Sequence, residues 1–137
     1  WTARGRGDHR ALRDSGVASS EIGYVSGHGT ATELGDIAES HATRAVLGER
    51  IPISCMKSYF GHTLGACGAQ EAWLAIEMMN REHFAPTLNL DNVDPQCRLN
   101  HLTSAPRRIA APITMLKNSF AFGGQNACLA LSLPCPA

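Results

Sequence analysis

Hydrophobic and polar positions along this chain change period from block to block, and each change marks an element. Asp8 to Gly16 predicts a short helix that Asp8 can cap and Gly16 can end. Glu21 to Ser26 predicts a strand carrying Ile22, Tyr24 and Val25, and the turn Gly27-His28-Gly29-Thr30 follows it. From Glu33 to Leu47, the residues Leu34, Ile37, Ala38, Ala42, Ala45 and Val46 recur at the helical period and predict an amphipathic helix. Glu33, Asp36 and Glu39 crowd its first turns, where the helix dipole favours negative charge, and Gly48 ends it. Ile51 to Cys55 is a compact apolar strand.

A glycine-spaced segment, Gly61 to Gly68, then runs into a helix ending near Asn80. Apolar residues from Ala66 to Met79 cover nearly the whole circumference of this helix, which predicts burial on all sides between two sheets. Glu71 within it needs partners, because a buried carboxylate is costly alone. Residues 81–112 read as irregular and hold Pro86, Pro95, Pro106 and Pro112. Structureless stretches of that length are often functional. Ile113 to Phe120 and Ala127 to Leu133 predict two strands joined by a tight turn around Gly123-Gly124. The order α, β, α, β, α, loop, β, β is an α/β pattern closing in an antiparallel pair.

Composition narrows the function classes. The 137 residues, 44% of them hydrophobic, suit one packed domain. Lys plus Arg and Asp plus Glu each total 12, which argues against a dominant nucleic-acid face or a polybasic membrane anchor. No apolar run approaches the roughly 20 residues of a membrane helix, and no secretory signal is visible. The five cysteines, Cys55, Cys67, Cys97, Cys128 and Cys135, are odd in number and form no Cys-x-x-Cys pair. Neither a disulfide framework nor a zinc or other metal site is expected, and free thiols point to the cytoplasm. The chain opens on Trp1 rather than Met, so a piece of a longer protein is expected.

Candidate chemistry gathers in three glycine-flanked clusters at predicted strand ends: residues 27–30, 57–68 and 118–126. His28 lies between two glycines that let a substrate come close. The same residues also fit a loop histidine beside a capping threonine. His62 sits before the glycine-rich helix, where the helix end and Lys57 both favour a neutral imidazole able to donate to an oxyanion. A capping histidine is the alternative. Phe120 and Phe122 fit core aromatics beside a turn, and Glu71 fits a carboxylate that satisfies nearby backbone groups. Arg-Gly-Asp at residues 6–8 is not read as an integrin ligand. The glycine spacings match neither a P-loop nor a dinucleotide fingerprint.

Taken together, the clusters closely resemble the C-terminal half of β-ketoacyl synthases, the condensing enzymes of fatty acid and polyketide assembly. The resemblance rests on His28-Gly29-Thr30 with Thr32 and Asp36, on Lys57-Ser58-x-x-Gly61-His62-x-x-Gly65-Ala66-x-Gly68, and on Asn118-Ser119-Phe120-x-Phe122-Gly123-Gly124-x-Asn126. Pro86-Thr87-x-Asn89 and Asp94-Pro95 add to it, and it covers roughly residues 8–133.

The resemblance implies a thiolase-like layered α/β/α/β/α fold, of which residues 1–137 would supply most of the second half. It implies decarboxylative condensation of an acyl-enzyme thioester with malonyl-acyl carrier protein. His28 and His62 match the two active-site histidines, Lys57 the supporting lysine and Glu71 the glutamate behind it. Thr30 and Thr32 match threonines that contact the phosphopantetheine arm, and Phe122, with Phe120 beside it, matches the gating phenylalanine. No cofactor is implied beyond the carrier's own phosphopantetheine. Implied partners are acyl carrier protein, malonyl and acyl thioesters, the N-terminal half of the same fold, and a second subunit in a homodimer or ketosynthase heterodimer.

This sequence departs from the family in two respects. None of its cysteines has the setting of the family's nucleophile, so the isolated chain is expected to be inactive. Ala121 replaces the glycine common between the two phenylalanines, which could stiffen the gate. A non-catalytic partner subunit, such as a chain-length factor, and a coenzyme A-dependent thiolase-fold enzyme are the competing readings. Retention of His28, Lys57 and His62 counts against the first. The Lys57-to-His62 spacing and the paired phenylalanines favour the carrier-protein type over the second.

Overall fold

The computed structural model describes residues 2–111 and 113–133; Trp1, Pro112 and Cys135 lie outside the described residues. Helix α1 (Thr2–Ser15) leads through a 3-10 turn (Ser19–Glu21) to strand β1 (Ile22–Ser26). Helix α2 (Glu33–Leu47), strand β2 (Pro52–Ser54), the one-turn helix α3 (Lys57–Phe60) and helix α4 (Cys67–Asn80) follow. Two-residue strands β3 (His83–Phe84), β4 (Asn100–His101) and β5 (Arg107–Arg108) punctuate the next stretch. The long strands β6 (Thr114–Phe120) and β7 (Asn126–Ser132) close the chain as a hairpin.

Five strands form the main sheet in the order β4-β2-β1-β6-β7. All neighbours run parallel except β6 and β7, which are antiparallel. β3 and β5 pair separately. Strand β1 is buried on both faces, as a central parallel strand should be. Its register shifts between Ile22 and Tyr24. That irregularity puts Ile22 with Val25, Ile53, Leu116 and Leu12 of α1 on one face, and Tyr24 with Met115, Ala75, Met78 and Met79 of α4 on the other. The sheet thus separates α1 from α4.

Three expectations change. Helix α1 begins at Thr2, not Asp8, despite two glycines in its first turns. A Cβ on Gly5 would lie 3.8 Å from Val46 and 3.9 Å from Ala42, and one on Gly7 3.7 Å from Asn126. The missing side chains let α1 pack closely on α2 and β7, and this packing outweighs the intrinsic cost of glycine in a helix. Helix α2 has its expected bounds, but Leu34 is 81% exposed, while Glu39, Ser40, Ala42 and Thr43 are buried. Helix α4 buries the single face Cys67, Glu71, Ala75, Met78 and Met79, and Trp73 on the opposite face is 62% exposed. Burial on all sides is therefore not a property of these residues alone.

Candidate active site

Because β1, β2 and β6 are parallel, their C-terminal ends reach one edge of the sheet. Ser26 is in register with Ser54 on one side and Lys117 on the other. The chain leaves these ends as the His28 turn, the Lys57 helix and the Phe120 hairpin, so all three sequence clusters meet there.

The His28 turn is held from below. Glu39, buried on α2, accepts the amide of His28 at 2.7 Å and that of Gly29 at 2.9 Å, one on each carboxylate oxygen. Asn118 Nδ2 reaches the same carboxylate at 3.4 Å. These bonds draw the polar face of α2 inward. Burial raises the Glu39 carboxyl above its ordinary range, and the two amides and Asn118 pull it back. Gly29 adopts φ +36°, and a Cβ there would lie 2.7 Å from Cys55 Cβ and closer still to its Sγ, so the close approach of β2 demands glycine.

Lys57, at the start of α3, is buried and uses all three ammonium hydrogens. Nζ donates to Glu71 Oε1 at 2.6 Å, to His28 Nδ1 at 3.1 Å and to the His28 carbonyl. Since an ammonium only donates, Nδ1 of His28 is the acceptor and the ring proton resides on Nε2. His62 meets the same constraint differently: its Nδ1 accepts the Leu64 amide at 3.1 Å. A positive φ of 53° at Leu64 accompanies that bond. His62 is exposed and stands before the 3-10 turn Leu64–Ala66, not in the first turn of α4, so the bond from Leu64 rather than the helix end sets its orientation. The two imidazoles lie edge to face with centroids 5.5 Å apart, and the Phe120 ring lies edge-on to His28 at 5.7 Å. Burial first, and then the Lys57 charge, push His28 down to about 4; Glu71 opposes this, and Lys117 and His62 add to it. His28 is therefore neutral at physiological pH.

Glu71, which needs partners, finds Lys57 and also Lys117. Its Oε2 forms an ion pair with Lys117 Nζ at 2.6 Å, and Cys67 Sγ lies 3.3 Å from Oε1. Burial would raise this carboxyl, but hydrogen bonds from Lys117 and Lys57 outweigh it and hold the group below its usual range.

A cavity of about 500 Å³ opens beside the cluster, lined by Thr30, Lys57 and His62 and by Thr87 and Asn89 of the long loop. Thr30 and Thr32 bond each other through their hydroxyls at 2.9 Å, but Thr32 is not on the cavity wall. Phe120 is buried, whereas Phe122, two residues on, is fully exposed at the hairpin tip. The structure thus brings together His28, His62, Lys57, Glu71 and Phe120, leaves Thr30 and Thr32 at the rim, and does not bring Phe122 in. Lys117 and Glu39 were not among the expected site residues. A lysine inside the apolar strand Ile113–Phe120 was the available signal, since a buried ammonium requires a carboxylate. Among the described residues, no cluster of three or more histidine, cysteine or acidic side chains is placed to hold a metal ion, and no helix is long and apolar enough to cross a membrane.

Comparison with known proteins places this arrangement in a family. Residues 3–91 match the family described as beta-ketoacyl synthase, C-terminal domain. The 3-oxoacyl-(acyl-carrier-protein) synthase 2 of Synechocystis is 38% identical over 133 residues, which is 92% of this chain and 32% of that protein. The crystal structure of a beta-ketoacyl synthase from Burkholderia phymatum STM815 is 51% identical with a TM-score of 0.92, covering 94% of this chain and 32% of that one. A type II polyketide ketosynthase, solved in complex with its acyl-carrier protein and bound to a hexaketide, is 33% identical with a TM-score of 0.90, covering 97% and 34%.

The chain belongs to the β-ketoacyl synthase family and falls in its C-terminal half. It spans about a third of the length of these relatives. The expected thiolase-like α/β fold is borne out by the solved neighbours.

Proposed function

We propose that the complete protein containing this chain is a β-ketoacyl-acyl-carrier-protein synthase, joining an acyl group held on a cysteine to malonyl-acyl carrier protein. One observation carries the reading. Both imidazoles have Nδ1 occupied, His28 by Lys57 and His62 by the Leu64 amide, so both present Nε2–H as a donor. Two neighbouring imidazoles, with ring centroids 5.5 Å apart and each with Nδ1 accepting, suit a thioester oxygen on which charge develops.

In the proposed reaction the bond from the malonyl α-carbon to its carboxylate breaks and carbon dioxide leaves. The electron pair passes into the thioester as an enolate, whose oxygen takes hydrogen bonds from His28 and His62. The α-carbon then attacks the acyl carbonyl, the carbon–sulfur bond breaks, and the cysteine leaves as thiolate. That cysteine comes from the part of the protein outside this chain. The 137 residues alone are expected to be inactive. Thr30 and Thr32, at the rim, would contact the carrier's phosphopantetheine, and Phe122, exposed in this chain, would gate the acyl entrance together with groups from the rest of the protein. No other cofactor is required.

The exposed face of α4 carrying Trp73 and Ile76 is proposed to pack against the N-terminal half, and the whole synthase to act as a homodimer or ketosynthase heterodimer. A non-catalytic partner subunit is disfavoured because His28, Lys57, Glu71 and His62 are all present, and His28, Lys57 and Glu71 are hydrogen-bonded in series. The test incubates the full-length protein with acyl- and malonyl-acyl carrier protein and weighs the products. A β-ketoacyl carrier two carbons longer than the acyl substrate is expected. Its absence, with both substrates intact, would overturn the reading.

A further inference from the structure

Lys117 lies within β6 and its side chain is only 1% exposed. Its ammonium donates to the Asn118 carbonyl at 2.7 Å and the Ser119 hydroxyl at 2.5 Å, and pairs with Glu71 Oε2 at 2.6 Å. The other Glu71 oxygen takes Lys57 at 2.6 Å. One buried carboxylate therefore serves two buried ammonium groups brought from different elements. A self-contained ion pair needs only one, and a second buried charge is costly unless something uses it.

Adjacent to the surplus charge is His28. The charged and titratable groups around it are Lys57 on α3, His62 in the following loop, Glu71 on α4, Lys117 on β6 and Glu39 on α2. Glu39 spends its two oxygens on the amides of His28 and Gly29 and lies 3.4 Å from Asn118 Nδ2, so Glu71 is the acid facing both lysines.

We infer that Lys117 is a positioning residue of the condensing site: by occupying half of Glu71 it leaves Lys57 incompletely neutralised, which turns the Lys57 ammonium onto His28 Nδ1 and fixes His28 as the neutral Nε2–H donor. Without Lys117, both Glu71 oxygens are free to engage Lys57. The Lys57–His28 bond then weakens and the imidazole becomes more basic.

The inference rests on the ketosynthase reading for its effect on the reaction, whereas the protonation of the His28 ring is measured independently of it. In the full-length synthase, Lys117→Met is expected to raise the acidic limb of malonyl-carrier decarboxylation by about one pH unit. At pH 8, where His28 is neutral in both proteins, the loosened Nε2–H donor is expected to lower the rate while KM stays within about twofold. Lys117→Arg keeps the charge and is expected to keep the limb. A folded Lys117→Met enzyme with the wild-type limb would overturn the proposal. If that variant does not fold, the wild-type protein decides. With ¹⁵N-labelled histidine and His28→Gln for assignment, His28 is expected to show bare Nδ1 and protonated Nε2 between pH 5 and 8. A protonated Nδ1 would overturn the proposal. That spectrum needs no substrate, so a protein inactive on malonyl carrier would sink the functional reading and leave this one to be judged separately.

Discussion

Replacing Glu71 with Gln is the sharpest perturbation of the fold's polar core. The substitution keeps the volume and removes one charge, but it strands two. Lys57 and Lys117, at 5% and 1% side-chain exposure, lose their shared counterion, and a Gln carbonyl can accept from only one of them at full strength. Breaking one buried ion pair by removing a partner costs about 3–5 kcal/mol, mainly because the remaining charge is buried without compensation. Two stranded ammonium groups set the expectation for Glu71→Gln at no less than about 3 kcal/mol.

The assay is denaturant unfolding of the full-length protein at neutral pH, with Lys117→Met added as a second change. Removing the surplus ammonium from the Glu71→Gln background should restore about 1–3 kcal/mol as a coupling energy, because both sites lie in one network. The pH dependence has a definite sign. Glu71 is held below its ordinary value of 4.5, so the stabilisation it gives is complete above that value and is lost as pH falls through the lower folded value. Glu71→Gln should flatten that acid loss. A Glu71→Gln protein within about 1 kcal/mol of wild type, or strict additivity with Lys117→Met, would refute the network reasoning.

Other perturbations follow from neighbouring geometry. Gly29→Ala puts a Cβ 2.7 Å from Cys55 Cβ at a φ of +36°, and should cost about 1–3 kcal/mol in unfolding measurements, with partial relief from Cys55→Gly. Asp8, buried on α1, is pushed up to about 7, first by burial and then by Glu39, with the Cys128 thiol opposing. Its sign is opposite to that of Glu71. The fold is favoured while Asp8 is protonated, and stability is lost as pH rises from the ordinary value of 3.8 through about 7. Asp8→Asn should therefore raise unfolding stability at pH 8 and change it little at pH 4, which a pair of denaturation curves would check.

The parts of this molecule that follow local rules were legible from sequence. Strands β1, β2 and β6 and the β6–β7 hairpin announced themselves by apolar runs and a glycine turn, and α2 by its period and Gly48. What faced inward was less legible. Leu34 is exposed and Glu39 buried because two turn amides need a carboxylate, a demand set by tertiary structure that periodicity does not register. The start of α1 was hidden by Gly5 and Gly7, whose value lies in close packing against α2 and β7. Within residues 81–112 the strands β3, β4 and β5 are two residues each, too short for any pattern.

At the site, the glycine-spaced clusters led to His28, Lys57, Glu71 and His62, which the structure gathers at one sheet edge. Lys117 falls inside the strand pattern of Ile113–Phe120, and its role is visible only once Glu71 stands beside it. Phe122 lies exposed at the hairpin tip, so any part it plays at an acyl entrance depends on groups outside this chain.

The central claim is that His28 and His62 together stabilise an enolate, and release of carbon dioxide from malonyl-acyl carrier protein by the full-length synthase tests it most directly. His28→Ala and His62→Ala should each slow that release by about a hundredfold or more, as loss of one oxyanion donor does, while the protein still takes up an acyl group on its cysteine. Decarboxylation at the wild-type rate in either variant would contradict the account.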